Sequence, residues 1–278
     1  MKLIEEQVIL ITGATDGIGK QTAIDLARKG ASILVHGRSS EKCDAVMHEI
    51  INLTGNPKIS CFAADLSSLL EVKQLAEGIK ATHRQLDVLI NNAGVGGGDL
   101  KETIRDVSKD GYEYRLAVNY LAPFLLTYEL LPLLTKESSR TINVASKGQS
   151  FVDLTNLMLE QNYSRLQAYT RSKLAMIAWT IELAERYGSR QVTFNAIHPG
   201  TQLNTKIVHQ SGFSPLGEVQ VGADAILHLA LSADLEGVNG QYFNEIQPSQ
   251  AHEQVYDGIF RKNLWETTET LIREKVYM

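Results

Sequence analysis

Tyr169 and Lys173 stand four residues apart in Tyr169-Thr170-Arg171-Ser172-Lys173, a spacing that can make an acid of a phenol. A free tyrosine has a pKa of about 10 and barely ionises at neutral pH. An ammonium held beside it favours the phenolate. Positions i and i+4 of a helix share a face, with about 5–6 Å between Cβ atoms, and Ala168, Ser172, Leu174, Ala175, Ile177, Ala178 and Ile181 supply a helical setting. Tyr169 is thereby placed to give a proton to a carbonyl oxygen, with Lys173 bringing its proton affinity toward the working pH. Such a pair alone is common in helices, and its weight comes from the rest of the chain.

Near the N-terminus, the aliphatic run Val8-Ile9-Leu10-Ile11 leads directly into Thr12-Gly13-Ala14-Thr15-Asp16-Gly17-Ile18-Gly19. An uninterrupted aliphatic run suits a strand buried on both faces of a parallel sheet. Ile18, Ala23, Leu26 and Ala27 then recur at helical spacing as far as Gly30, a C-terminal capping residue. The glycines therefore fall at a strand-to-helix turn. There the missing side chains admit a pyrophosphate to the backbone, and the helix N-terminus offers unpaired N–H groups and a favourable dipole.

With Gly13-xxx-Gly17-x-Gly19 and Tyr169-xxx-Lys173 both in place, the sequence resembles the short-chain dehydrogenase/reductase family over nearly its whole length. Further motifs of that family follow in order: Asp65 in Ala64-Asp65-Leu66, Asn91-Asn92-Ala93-Gly94, Asn119, Ser146 in Asn143-Val144-Ala145-Ser146, and His198-Pro199-Gly200-Thr201. The retinol dehydrogenase-like branch is the nearest in pattern, through Asn119-Tyr120-Leu121-Ala122-Pro123-Phe124, Tyr169 to Ala175, and Leu264-Trp265-Glu266. The resemblance implies that Asp65, Leu66, Asn92, Ala93, Gly94, Pro199, Gly200 and Thr201 line a cofactor together with the turn from Gly13 to Gly19. It also implies that Lys173 binds the nicotinamide ribose and that Asn119 supports a water-linked proton path.

Hydride transfer to a carbonyl carbon builds negative charge on oxygen, which preorganised donors stabilise. Ser146, at the end of a strand, can supply one hydrogen bond while Tyr169 supplies another and then its proton. Ser146 and Tyr169 are separated by 22 residues, a wider gap than is usual for the family at large and comparable to that of the retinol dehydrogenase-like branch. Gln149 to Gln167 are accordingly expected to shape the substrate pocket.

Cofactor choice follows from what is missing about twenty residues after the glycine turn. An NAD-preferring site places Asp or Glu there to bind the ribose 2′-hydroxyl. Ala31 to Ser40 contains no acid and has Arg38 followed by Ser39, where a guanidinium can pair with a 2′-phosphate. NADP(H) is therefore expected over NAD(H).

The elements that must position these residues alternate between strand and helix, which predicts an α/β fold: a Rossmann-type doubly wound parallel sheet with helices on both faces. The expected strands are Val8 to Ile11, Ile33 to His36, Ile59 to Ala63, Val88 to Asn91, Thr141 to Val144, Val192 to Ile197 and Gln241 to Phe243. Ser68 and Glu71 fit a capping box ahead of the stripe Leu69, Val72, Leu75, Ala76 and Ile79. One domain of residues 1–278 is expected, its nucleotide-binding part about 1–145 and its catalytic and substrate-binding part about 146–278. Thr201 to Leu216 reads as a partly apolar lid, compatible with lipophilic ketones, aldehydes or alcohols.

Composition narrows the alternatives. The 278 residues are 44% hydrophobic with net charge −5 and no long basic run, which indicates neither a nucleic-acid nor an anionic-membrane partner. Cys43 and Cys61 lack metal-ligand spacing and read as reduced thiols of a cytoplasmic protein. The histidines show no HExxH pattern, and no metal is expected. The N-terminus has no apolar signal segment, and the apolar stretch Leu116 to Leu134, broken by Asn119, Pro123, Glu129 and Pro132, reads as a core helix rather than a membrane span. Ser146 lacks the G-x-S-x-G elbow of a hydrolase. A nucleotide-sugar epimerase or dehydratase would call for a longer substrate domain beyond Phe243. A non-catalytic NADP-binding regulator would have no need of Ser146, Tyr169 and Lys173 together. The reading is an NADP(H)-dependent oxidoreductase acting on a small-molecule carbonyl or alcohol, with homo-oligomerisation left open.

Overall fold

The computed structural model describes residues 2–99, 102–134, 138–189 and 191–278. In chain order its elements are β1 (Val8–Ile11), α1 (Gly17–Arg28), β2 (Ser32–Gly37), α2 (Ser40–Thr54), β3 (Ile59–Ala63), α3 (Leu69–Thr82), β4 (Val88–Asn91), α4 (Tyr114–Leu116), α5 (Ala122–Leu134), β5 (Ser139–Val144), α6 (Arg165–Tyr187), β6 (Val192–His198), α7 (Lys206–Gln210), α8 (Val219–Leu231), β7 (Tyr242–Asn244), β8 (Gln247–Ser249) and α9 (Gly258–Val276). The sheet order is β3-β2-β1-β4-β5-β6-β7-β8. Neighbours from β3 to β7 pair in parallel, and β8 closes the edge antiparallel to β7.

The period-2 alternation of strands divides the core into two layers. Leu10, Leu34 and Leu89 point into one layer, with the buried faces of α3, α5, α6 and α9. Ile9, Ile11, Ile33, Val35, Val88 and Ile90 point into the other, with α1, α2 and α8. Both faces of the sheet are thus covered, which explains why β1 is aliphatic at every position.

Ser68 caps α3 by accepting from the Glu71 amide at 3.3 Å, but Glu71 departs from a capping box. Its carboxylate accepts from the Asp65 amide at 2.8 Å instead of reaching back to Ser68. Two elements beyond the expected strands appear at the C-terminal end. β8 is Gln247-Pro248-Ser249, a three-residue edge strand with no apolar run, where proline is tolerated. α9 buries Phe260, Leu264, Trp265, Thr268 and Ile272 against the rest of the fold, with the Trp265 ring 4.7 Å from that of Phe124.

The helical run Tyr114–Leu134 is long and apolar enough to cross a membrane by length and composition, yet 78% of that window is buried inside the fold. It is interrupted by a π-turn at Ala117–Leu121, in which the Ala122 amide donates to the Ala117 carbonyl. Pro123 has no N–H to give the Asn119 carbonyl four residues earlier, so the α pattern cannot continue there. The widened turn falls at Asn119.

Candidate active site

The sheet order reverses between β1 and β4, and the crevice at their carboxyl ends is where open α/β sheets collect ligands. The glycine turn lies on one side of it. Gly13 has φ +66°, and a Cβ there would lie 2.8 Å from the Ala93 Cα. A Cβ on Gly19 would sit 2.3 Å from the Asn92 amide nitrogen and 2.5 Å from the Gly13 carbonyl oxygen. Thr12 locks the two loops together: its Oγ1 accepts from the Asn92 and Ala93 amides, both at 3.0 Å, while Asn92 Nδ2 donates to the Thr12 and Gly13 carbonyls. Asp16 caps α1 by accepting from the Gly17 amide at 2.8 Å. Ile18 packs near Gly222 of α8, and Thr15 against Gly37 at the end of β2.

The next strand ends border the same crevice. His36 is buried, its Nδ1 accepting from the Gly13 amide at 3.3 Å and its Nε2 facing the Ala64 carbonyl at 3.1 Å. That arrangement needs the neutral ring with its proton on Nε2, and burial pushes the His36 pKa down to about 4. Arg38 follows on the surface, and Ser39 caps α2 by accepting from the Lys42 amide at 3.3 Å. Asp65 accepts from the Ser67 amide at 3.0 Å and pairs with Lys109 at 3.2 Å, and Leu66 beside it is buried. The glycine cradle and the N-terminus of α1 together fit a dinucleotide.

The residues singled out for chemistry converge above β4 and β5. Asn119, wholly buried, accepts from the Val95 amide at 2.8 Å and donates to the Val95 carbonyl at 3.0 Å and to Ser172 Oγ at 2.9 Å. Ser172 in turn donates to the Tyr169 carbonyl at 2.7 Å. A Cβ on Gly94 would touch both Asn119 Oδ1, at 3.3 Å, and Lys173 Nζ, at 3.5 Å. Ser146 Oγ and the Tyr169 ring both border Gly148, whose amide donates to Ser146 Oγ at 3.0 Å.

Lys173 Nζ donates to the Val144 carbonyl at 2.7 Å and lies 6.0 Å from the centre of the Tyr169 ring. Burial raises the Tyr169 pKa above the ordinary phenol value, opposed by the Ser146 hydroxyl. Burial also pulls Lys173 down to about 8. The shared helix face is present, and one of the three ammonium donors of Lys173 is used on the strand end beneath it.

After β6, His198 Nε2 meets Thr201 Oγ1 at 3.1 Å, and burial, with the Lys147 charge, pulls the His198 pKa down to about 4. Pro199 and Gly200 make the turn between them. The stretch beyond contains α7, which returns over the crevice: Lys206 forms an ion pair with Asp16, and Ile207 packs where a Gly96 side chain would be. Of the 22 residues between Ser146 and Tyr169, those from Lys147 to Ser164 form a loop with one short 3₁₀ turn at Leu154–Asn156, and Arg165 begins α6. Tyr242 and Gln149 both donate to the Ser146 carbonyl, at 3.1 and 3.0 Å. Cys43 and Cys61 are unpaired, and among the described residues no three His, Cys, Asp or Glu side chains gather into a metal site.

Thr12, His36, Ser172 and Tyr242 are the site-building residues that motif reading passed over. Thr12 was signalled by its place directly before Gly13, whereas the others act through partners distant in sequence.

The model for the short chain dehydrogenase family matches residues 7–212. Human retinol dehydrogenase 11 is 35% identical over 278 residues, covering 96% of this chain and 86% of its own. Mouse retinol dehydrogenase 13 is 33% identical, covering 97% of this chain and 84% of its own. Among solved structures, an uncharacterised protein from Mycobacterium paratuberculosis superposes with TM-score 0.78 at 26% identity, covering 98% of this chain and 95% of that one. A short chain dehydrogenase from Shigella flexneri complexed with NADP gives TM-score 0.67 at 28% identity, covering 87% and 98%. A relative from Escherichia coli CFT073 complexed with NADPH gives 0.69 at 29%, with the same coverage. With the glycine turn and the Ser146, Tyr169 and Lys173 cluster set on one such sheet, this chain belongs to the short-chain dehydrogenase family of oxidoreductases, in its retinol dehydrogenase-like branch.

Proposed function

We propose that this protein interconverts a carbonyl and an alcohol with NADP(H), using Tyr169 as general acid and base. The observation that carries the reading is the convergence of Ser146 and Tyr169 beside Gly148, one helical turn from Lys173, at the mouth of the β1/β4 crevice. A bound nicotinamide supplies or accepts the hydride. Ser146 donates to the substrate oxygen and steadies the charge that develops there. Tyr169 gives that oxygen its proton in reduction and takes it back in oxidation.

Lys173 lies between the Val144 carbonyl and Gly94, within reach of a ribose placed over that loop. Once a ligand excludes water, its positive charge acts on the phenol across a drier gap and favours ionisation. Asn119 holds Val95, and through Ser172 it is tied to the Tyr169 backbone. The turn from Gly13 to Gly19, including Thr15, Asp16, Gly17 and Ile18, cradles the pyrophosphate, and Arg38 with Ser39 takes the 2′-phosphate. Asp65, Leu66, Asn92, Ala93 and Gly94 border the adenosine and nicotinamide halves, with Pro199, Gly200 and Thr201 closing the far side. The NADP- and NADPH-bound relatives support this choice of cofactor.

For the substrate, the exposed apolar residues Phe213 and Leu216 beyond α7 favour lipophilic ketones, aldehydes or alcohols. NADPH oxidation against a broad panel of carbonyl compounds tests the reading. Turnover of lipophilic members supports it, and no turnover with any carbonyl by protein that binds NADPH contradicts it.

A further inference from the structure

Arg115 is only 3% exposed and lies four residues before Asn119 on the same helical run. Its Nε donates to the Gly96 carbonyl at 3.0 Å and its Nη2 to the Gly97 carbonyl at 3.1 Å. Its Nη1 donates to the Tyr163 hydroxyl at 3.0 Å and pairs with Glu113 and Asp106, each at 3.3 Å. Arg165, on the first turn of α6, pairs with the same Asp106 at 3.1 Å. Three consecutive residues after β4 are therefore held from one helix: Val95 by Asn119, Gly96 and Gly97 by Arg115.

We infer that Arg115 is a positioning residue for hydride transfer, fixing the glycine loop 94–98 against the catalytic helix and against the loop that carries Tyr163. The inference rests on the function proposed above. The geometry behind it is the placement of that glycine loop. At Gly94 the loop abuts Lys173 Nζ and Asn119 Oδ1, at Gly96 it receives Ile207 of α7, and at Gly98 it passes 3.4 Å from Arg165 Nη1 where a Cβ would be. A loop so placed sets the floor on which the reacting groups meet and the seat on which α7 rests. Arginine suits the task because its planar fork spreads donors over three nitrogens, so that Nε and Nη2 take adjacent carbonyls while Nη1 faces a hydroxyl and two carboxylates. A lysine keeps the charge that Glu113, itself buried, requires, but its single ammonium cannot span that set.

Arg115→Lys separates the roles. The expected result is a turnover reduced about tenfold or more, because small misplacements of reacting groups cost up to about a hundredfold in rate. NADPH affinity by titration should stay within about threefold, and the Val95 amide should exchange about tenfold faster than in the unaltered protein. Tyr163→Phe removes two hydrogen bonds at the edge of the set, one accepted from Arg115 Nη1 and one donated to Glu113 Oε1, leaves every charge in place, and should show both effects in smaller measure. It stands as the test if Arg115→Lys does not fold. A residue serving stability alone would lower the unfolding midpoint and leave turnover per NADPH-binding site and Val95 exchange unchanged. That pattern in whichever variant folds overturns the inference. If the unaltered protein reduces no carbonyl compound, the functional reading fails separately, and Val95 exchange still decides whether Arg115 holds the loop.

Discussion

Lys173 donates its Nζ hydrogen to the carbonyl of Val144 at 2.7 Å, binding the catalytic helix to the end of β5 rather than to the phenol of Tyr169. Lys173 is 5% exposed and burial pulls its pKa to about 8, far below an ordinary lysine. In ligand-free protein, a lysine Cε resonance absent from Lys173→Met should therefore titrate near pH 8 by NMR. A resonance still unchanged at pH 9.5 would remove the desolvated lysine from the account. Lys173→Met should also weaken NADPH binding and slow turnover together, since one group serves both.

His36 gives a second pH signature. Its folded pKa, about 4, lies below the ordinary histidine value of 6.5, so between those values the unfolded chain binds a proton that the native chain refuses. Its contribution is complete above pH 6.5 and is lost as pH falls toward 4. Buried His198, also drawn down to about 4, acts with the same sign, each worth about 3 kcal/mol. Urea unfolding at pH 7, 6 and 5 should show falling stability, and His36→Gln should flatten that slope. An unchanged slope in the variant would count against the neutral buried ring.

Much of the frame was legible in the sequence because it is written in local patterns. The aliphatic run at Val8–Ile11 and the spacing of Tyr169 and Lys173 are consequences of period and adjacency, and β1, β3 and β4 fall at the residues expected. What was hidden depends on which distant segments meet. Lys173 reaches Val144, His36 bridges Gly13 and Ala64, and Arg115 grips Gly96, Gly97 and Tyr163. β8 was hidden for another reason, since a three-residue edge strand with a central proline has no periodicity to read.

Coenzyme preference should turn on Arg38. The side chain is exposed just past the buried end of β2. A charge-assisted pair with the 2′-phosphate would make NADPH bind roughly ten- to a hundredfold tighter than NADH. Arg38→Asp should abolish or invert the preference. Equal affinities in the unaltered protein, or a variant that still prefers NADPH, would refute the assignment.

The segment from Thr201 to Leu216 should behave as a lid. It rests on the site through the Lys206–Asp16 ion pair and the Ile207 contact, and most of its residues are exposed or half-buried. Hydrogen exchange over this segment should be fast without ligand and slow when NADP(H) and a substrate analogue bind together. Full protection in the ligand-free protein would reject a moving lid and leave the chemistry of Ser146 and Tyr169 untouched.

The central claim is that Tyr169 moves the proton, and removing its hydroxyl tests it most directly. Steady-state NADPH oxidation with a carbonyl substrate found in the panel should be compared between the unaltered protein and Tyr169→Phe, with NADPH affinity titrated in parallel. The account predicts turnover lower by about 10²–10⁴, the range for loss of a general acid, with affinity changed no more than a few-fold. Turnover close to that of the unaltered protein would contradict it.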